Sequence, residues 1–148
     1  MIVKFGEKKP SDKHPPNPTI FCRKTSRKIL LYLEQKHLHE QEDYERSVQA
    51  PEFIQTFSKP SEKLLELRRI QKTLALSHEF QKARQVKAEA DLLEIQETRI
   101  AEQRIARSIK NRYEVLLNHQ QQEILCAKMN SERKLQKIAI LIFYLMLN

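Results

Sequence analysis

From Ser61 onward, apolar side chains recur every three or four positions, the spacing that places them on one stripe of an α-helix. Leu67, Ile70 and Leu74 form a first run, and Ala83, Val86, Ala90 and Leu93 a second. The pattern then shifts. Ala101, Ile105, Ile109 and Tyr113 follow at four-residue spacing, while Glu97 and Arg104 stand where a strict heptad wants apolar residues. Heptad spacing resumes at Leu135, Ile138, Ile142 and Leu145. Shifts of this kind relax a supercoil. They predict several shorter packing segments rather than one uninterrupted zipper.

Upstream the pattern is weaker. Residues 1–19 hold four of the six Pro and the only Gly, and they read as a disordered basic arm. Residues 20–47 read as a short helix with Thr25 or Ser26 as its cap and Ile29, Leu30, Leu33, His37 and Tyr44 at near-helical spacing. Residues 48–60 read as a Pro-bounded linker whose Phe53, Ile54 and Phe57 give it an apolar face. Helix resumes at Ser61, a fair cap after Pro60. Residues 61–148 then form a helical hairpin and coiled-coil arm. The expected fold is all-α and elongated: a helical hairpin plus a long coiled-coil helix, behind a disordered N-terminal arm.

Composition sharpens this picture. From Ser61 to Asn148 the chain has neither Gly nor Pro, and it is crowded with Leu, Ala, Glu, Gln, Lys and Arg. The single Gly6 also limits chemistry, since phosphate-cradling loops and nucleophile elbows need Gly backbone. No catalytic, cofactor or metal-ligating residues are nominated, and the expectation is a non-enzyme. His37 and His39 are two apart on a helix and point to different faces, so they do not clasp one ion together. Cys22 and Cys126 form no C-x-x-C pair, which suggests a reducing, cytoplasmic setting.

Residues 64–94, LLELRRIQKTLALSHEFQKARQVKAEADLLE, carry apolar residues at Leu64, Leu67 and Ile70, a small residue at Ala75, then Phe80, Ala83, Val86, Ala90 and Leu93. This arrangement resembles the UVR motif, a small helical hairpin of excision-repair subunits and protease regulators. Glu79 precedes the aromatic as the family's acidic residue often does, and Lys87 sits where the family usually has Arg. Ala88 replaces its common Asp, and Arg84 replaces the second of its paired small residues. The stretch is also similar to segments of long coiled-coil proteins of protists, which implies a cytoskeletal or ciliary setting. The resemblance implies a chain reversal at Ser77–Glu79, packing those nine positions against one another. A continuous helix would turn the same positions toward another chain, and the lack of Gly at the turn favours that alternative.

Charge and the chain's end add two further candidates. The formal charge is +8, and residues 1–30 carry eight Lys or Arg against Glu7 and Asp12. Arg99, Arg104, Arg107 and Lys110 stand in a segment whose one acid is Glu102. These are candidate contacts to an anionic partner, and with residues 1–30 they give the alternative reading, a nucleic-acid-binding accessory protein. No aromatic stacking platform accompanies them, so a solvated face is expected. The run from Ile138 to Leu147 is ten apolar residues, half of a membrane span. Burial in a partner or in a self-associated bundle is expected, ahead of a truncated reading frame or a membrane-surface contact. Function is expected to be scaffolding, with a helical protein partner or self-association.

Overall fold

A computed structural model describes residues 17–148. The described residues are 92% helical and include no strand. Four helices follow one another: α1 (Pro18–Gln49), α2 (Pro51–Phe57), α3 (Glu62–Leu76) and α4 (Phe80–Leu147). The arm expected over 1–19 lies outside the described residues except for its last three.

Those three correct the expected start of the first helix. Asn17 caps α1: its side-chain oxygen accepts from the Thr19 N–H at 3.0 Å, and its carbonyl accepts from the Phe21 N–H at 3.0 Å. Pro18 occupies the first helical position, where its missing N–H loses nothing. Thr25 and Ser26 are not caps. Their hydroxyls donate back to the carbonyls of Phe21 and Cys22, each at 2.9 Å, as Ser and Thr do inside a helix.

The expected linker contains a helix. Pro51 opens α2 after an extended Ala50, and the turn closes through Phe53 N–H to the Ala50 carbonyl. Seven residues are too few to hold a helix by propensity. Packing holds this one. The Phe53 and Phe57 rings meet edge-on at 5.3 Å, and the Arg112 guanidinium of α4 lies 4.9 Å over the Phe53 ring.

Between α3 and α4 the chain reverses. Glu79 N–H reaches the Leu74 carbonyl at 3.0 Å and His78 N–H the Ala75 carbonyl at 3.2 Å. These two bonds are the paired closure of a Schellman motif, which requires a left-handed residue just past the cap. His78 supplies it, at φ 61°. Gly usually takes this position, but His is among the residues that tolerate it. The missing Gly therefore does not keep the helix continuous. Ser77, where the reversal was expected to start, is the C-cap of α3.

The described chain divides into two compact units. One holds residues up to Glu34 together with 123–148. The other holds Gln35–Gln122. Both α1 and α4 contribute to each unit.

In the Gln35–Gln122 unit, the hairpin buries Leu64, Ala83 and Ala90, the last with 0% exposure. Small residues at Ala83 and Ala90 let α3 approach α4 closely. Leu67, Leu74, Val86 and Leu93 are half-buried beside them. Arg68 of α3 pairs with Asp91 at 2.8 Å and with Glu94, both on α4. The second half of α1 also packs on α4 within this unit. Tyr44 donates its hydroxyl to the Ile109 carbonyl at 2.6 Å and meets the Tyr113 ring at 5.6 Å.

The other unit is a pair of antiparallel helix segments, the start of α1 and the end of α4. Ser26 and Ser131 share a hydrogen bond of 2.6 Å between them.

Candidate functional site

The nine hairpin positions divide once the helix phase is fixed. Leu64, Ala83 and Ala90 are buried, and Leu67, Val86 and Leu93 are half-buried. Ile70, Ala75 and Phe80 are exposed and take no part in a buried interface. The inward stripe of α3 runs through Leu64, Leu67, Gln71 and Leu74, which leaves Ile70 and Ala75 off its edge. Phe80 sits one residue past the reversal, where its ring meets the imidazole of His78 at 5.8 Å.

Glu97 was expected to interrupt the seam, and the fold gives it a role. It stands opposite the start of α3, where backbone N–H groups lack helical partners. Its carboxylate accepts from the Ser61 N–H at 3.1 Å and from the Ser61 hydroxyl. The same hydroxyl accepts from the Leu64 N–H at 3.2 Å, capping the helix. Hydrogen bonding from the Ser61 hydroxyl, and then from its N–H, holds the Glu97 carboxyl below its ordinary value. The second run of apolar positions therefore continues through Glu97 to Ala101 and Ile105, with a capping carboxylate in the seam.

Arg99, Arg104, Arg107 and Lys110 are all exposed. Lys110 approaches Glu114 at 3.9 Å. The nearby Arg112, not among the four, is the one engaged with an aromatic ring. Among the described residues none of these four cations lies over an aromatic ring.

An apolar recess lies in the two-helix unit. It is a groove of about 710 Å³ along the seam of the α1 and α4 segments. Its walls include Phe21, Ile29, Leu33 and Ile138, and its floor includes the small residues Ser26 and Ala127. Lys134 and Lys137 border it toward one end of the α4 segment and Glu123 borders the other. Cys22 and Cys126, far apart in the sequence, both line it. They lie on opposite sides of the Ser26–Ser131 contact, four and five residues away along antiparallel helices. That offset separates them by about 13 Å, beyond disulfide reach. Both are free thiols.

This unit has almost no interior. Among its described residues only Cys22 is buried. Phe21, Leu31 and Tyr32 on α1 are more than half exposed, and so are Ile140, Leu141 and Phe143 to Leu147 on α4. The sequence had flagged the Ile138–Leu147 run but not the groove beside it. The available signal was the four-residue repeat Glu123, Ala127, Ser131, with small residues at its centre.

No helix among the described residues is long and apolar enough to cross a membrane. Comparison with family models, with curated proteins and with solved structures finds no match to this chain.

Proposed function

We propose that this chain is a non-catalytic helical scaffold that works by docking another helix into the apolar groove of its two-helix unit. One observation carries the reading: this pair of helix segments buries a single side chain while its large apolar side chains stand in solvent. A helix that is apolar on all sides belongs in an interior. Exposed apolar patches on this scale mark interaction surfaces. Two packed helices cannot enclose the end of α4, whereas three or four can.

The charged residues fit the same role. Glu123, Lys134 and Lys137 line the groove beside its apolar residues, and charges along an apolar seam fix orientation and register in helix pairing. The cytoskeletal or ciliary setting implied by the similarity to long coiled-coil proteins belongs to this reading as its biological context, with the UVR-like hairpin as a separate packing element.

Substituting Ala127→Arg tests the reading. It places a long cation on the groove floor without touching the buried hairpin positions. Sedimentation equilibrium of the full chain should show association for the wild type and its loss in the variant, with helicity by circular dichroism unchanged. Equal association by both proteins would overturn groove docking.

A further inference from the structure

We infer that the end of α4 inserts into the surface of an anionic phospholipid bilayer, with a collar of cations on α1 and α4 held at the level of the lipid phosphates. The inserting segment, residues 139–147, lies beyond the groove, whose lining reaches only to Ile138. The contact is therefore independent of what docks in the groove.

The distribution of apolar side chains around the helix selects lipid. Every residue from Ile140 to Leu147 is exposed, from 38% at Ile142 to 82% at Met146. At 3.6 residues per turn, this segment passes about twice round the helix axis. No side of it presents a charge, and Tyr144 carries its one side-chain hydroxyl. A helix packed in a bundle buries one stripe and keeps a polar face toward water. A helix docked in the groove, or a second copy, covers the inner side of α4 and leaves apolar outer sides in solvent. Acyl chains surround a helix on every side. The run from Ile138 to Leu147 extends about 15 Å, the hydrocarbon depth of one leaflet.

The charge at the base of this segment selects anionic lipid. Arg133, Lys134 and Lys137 immediately precede the apolar run on α4. The Ser26–Ser131 hydrogen bond sets the antiparallel register, which brings Arg23 and Lys24 of α1 level with Lys134 and Arg133. Lys134 and Lys137 line the groove, while Arg23 lines a second recess with Ala139 and Ile142, so cations flank the helix pair on more than one side. All five cations are exposed, and among the described residues none is paired with a carboxylate. Residues 18–34 and 123–148 together hold eight Lys or Arg against three Glu. Two of those acids, Glu34 and Glu123, stand at the end remote from the apolar run, and Glu132 is the one acid within the collar. An apolar segment joined to a polybasic patch supplies the two signals that hold a protein on a membrane surface. Each Lys or Arg near an anionic surface strengthens binding about fivefold.

Flotation of the full chain with phosphatidylcholine vesicles, with and without about 30% phosphatidylserine, tests the contact. The chain should bind the anionic vesicles about tenfold or more tightly than the neutral ones. Lys134→Glu combined with Lys137→Glu should weaken that binding by about 25-fold or more. Leu141→Asp combined with Leu145→Asp should abolish it, with helicity by circular dichroism unchanged. Ala127→Arg, which blocks the groove, should float no less than the wild type, so a failure of helix docking leaves this contact standing.

A second measurement reads depth and does not depend on the charged variants. The chain has no Trp, so Leu145→Trp and Leu31→Trp each introduce a single fluorophore at an exposed position. With anionic vesicles, the emission of Leu145→Trp should shift to the blue and be quenched by brominated acyl chains, and that of Leu31→Trp should do neither. Equal binding to neutral vesicles, or binding to anionic vesicles without quenching of Leu145→Trp, would overturn the inference. A blue shift of Leu145→Trp that grows with protein concentration in the absence of lipid, in a chain that does not float, would overturn it in favour of a second copy.

Discussion

The Gln120 side-chain amide donates to the backbone carbonyl of His37 at 3.1 Å, in a contact where both residues are buried. The same nitrogen donates to a Glu40 carboxylate oxygen at 3.0 Å, and the Gln120 oxygen accepts from the Gln41 amide at 2.9 Å. One α4 side chain is thereby tied to three residues of α1. A slide of either helix by one turn would leave that amide buried without partners. Polar layers of this kind fix register more than they add stability. Substituting Gln120→Ala should cost about 1–3 kcal/mol, because it strands the Gln41 amide while leaving the helices in place. Urea unfolding of the full chain measures it, and an unchanged midpoint would show that the layer contributes nothing.

His78 holds a left-handed conformation that Gly adopts without steric penalty. His78→Gly should therefore raise stability by up to about 1 kcal/mol, the left-handed penalty less the added freedom of the unfolded chain. A higher melting temperature with an unchanged circular dichroism spectrum is the expected result. A lower one would indicate that the His78–Phe80 ring contact outweighs the backbone gain.

Ala90 has no exposed surface, whereas Ala88, two residues earlier on the same helix, is exposed. Ala90→Leu should force α3 away from α4 and cost about 1–3 kcal/mol. Ala88→Leu should change stability by no more than about 0.5 kcal/mol. Thermal melts of the two variants would contradict the hairpin packing if they showed equal effects.

The Glu97 carboxyl lies below its ordinary value of 4.5 because it accepts two hydrogen bonds from Ser61. The unfolded chain therefore binds a proton there more readily than the folded chain. The stability this carboxylate contributes is present above the unfolded value and is lost as pH falls through the folded one. Between pH 5 and pH 3 the wild type should lose stability more steeply than Glu97→Gln, in urea titrations at matched ionic strength. Parallel pH profiles would remove Glu97 from the account of how α3 begins.

Much of this architecture was legible in the spacing of apolar residues, and the departures have local causes. The periodicity of Leu67, Ala83, Val86, Ala90 and Leu93 identified a helical stripe, and Ser61 read as a cap is a cap. Asn17–Pro18 was overlooked as a start signal because a Pro-rich context drew that dipeptide into the arm, although the pair provides a cap and a first helical residue. The segment 51–57 was read as linker because seven residues lack a helical period of their own. Its helix depends on Arg112 and the Phe53–Phe57 contact, which sequence spacing does not display. Glu97 read as a fault in the seam because its partner, the start of α3, lies 36 positions away along the chain. The groove was not visible for a similar reason: it is assembled from two segments about a hundred residues apart, joined at Ser26 and Ser131.

Segment-resolved hydrogen–deuterium exchange on the full chain, run across a concentration series, tests most directly whether the apolar face of the two-helix unit is a docking surface. Covering that face with a docked helix should slow exchange over residues 18–33 and 123–138 as concentration rises, and leave the hairpin at 62–97 unchanged. Exchange that is independent of concentration in all these segments, at concentrations where the chain is helical, would contradict it.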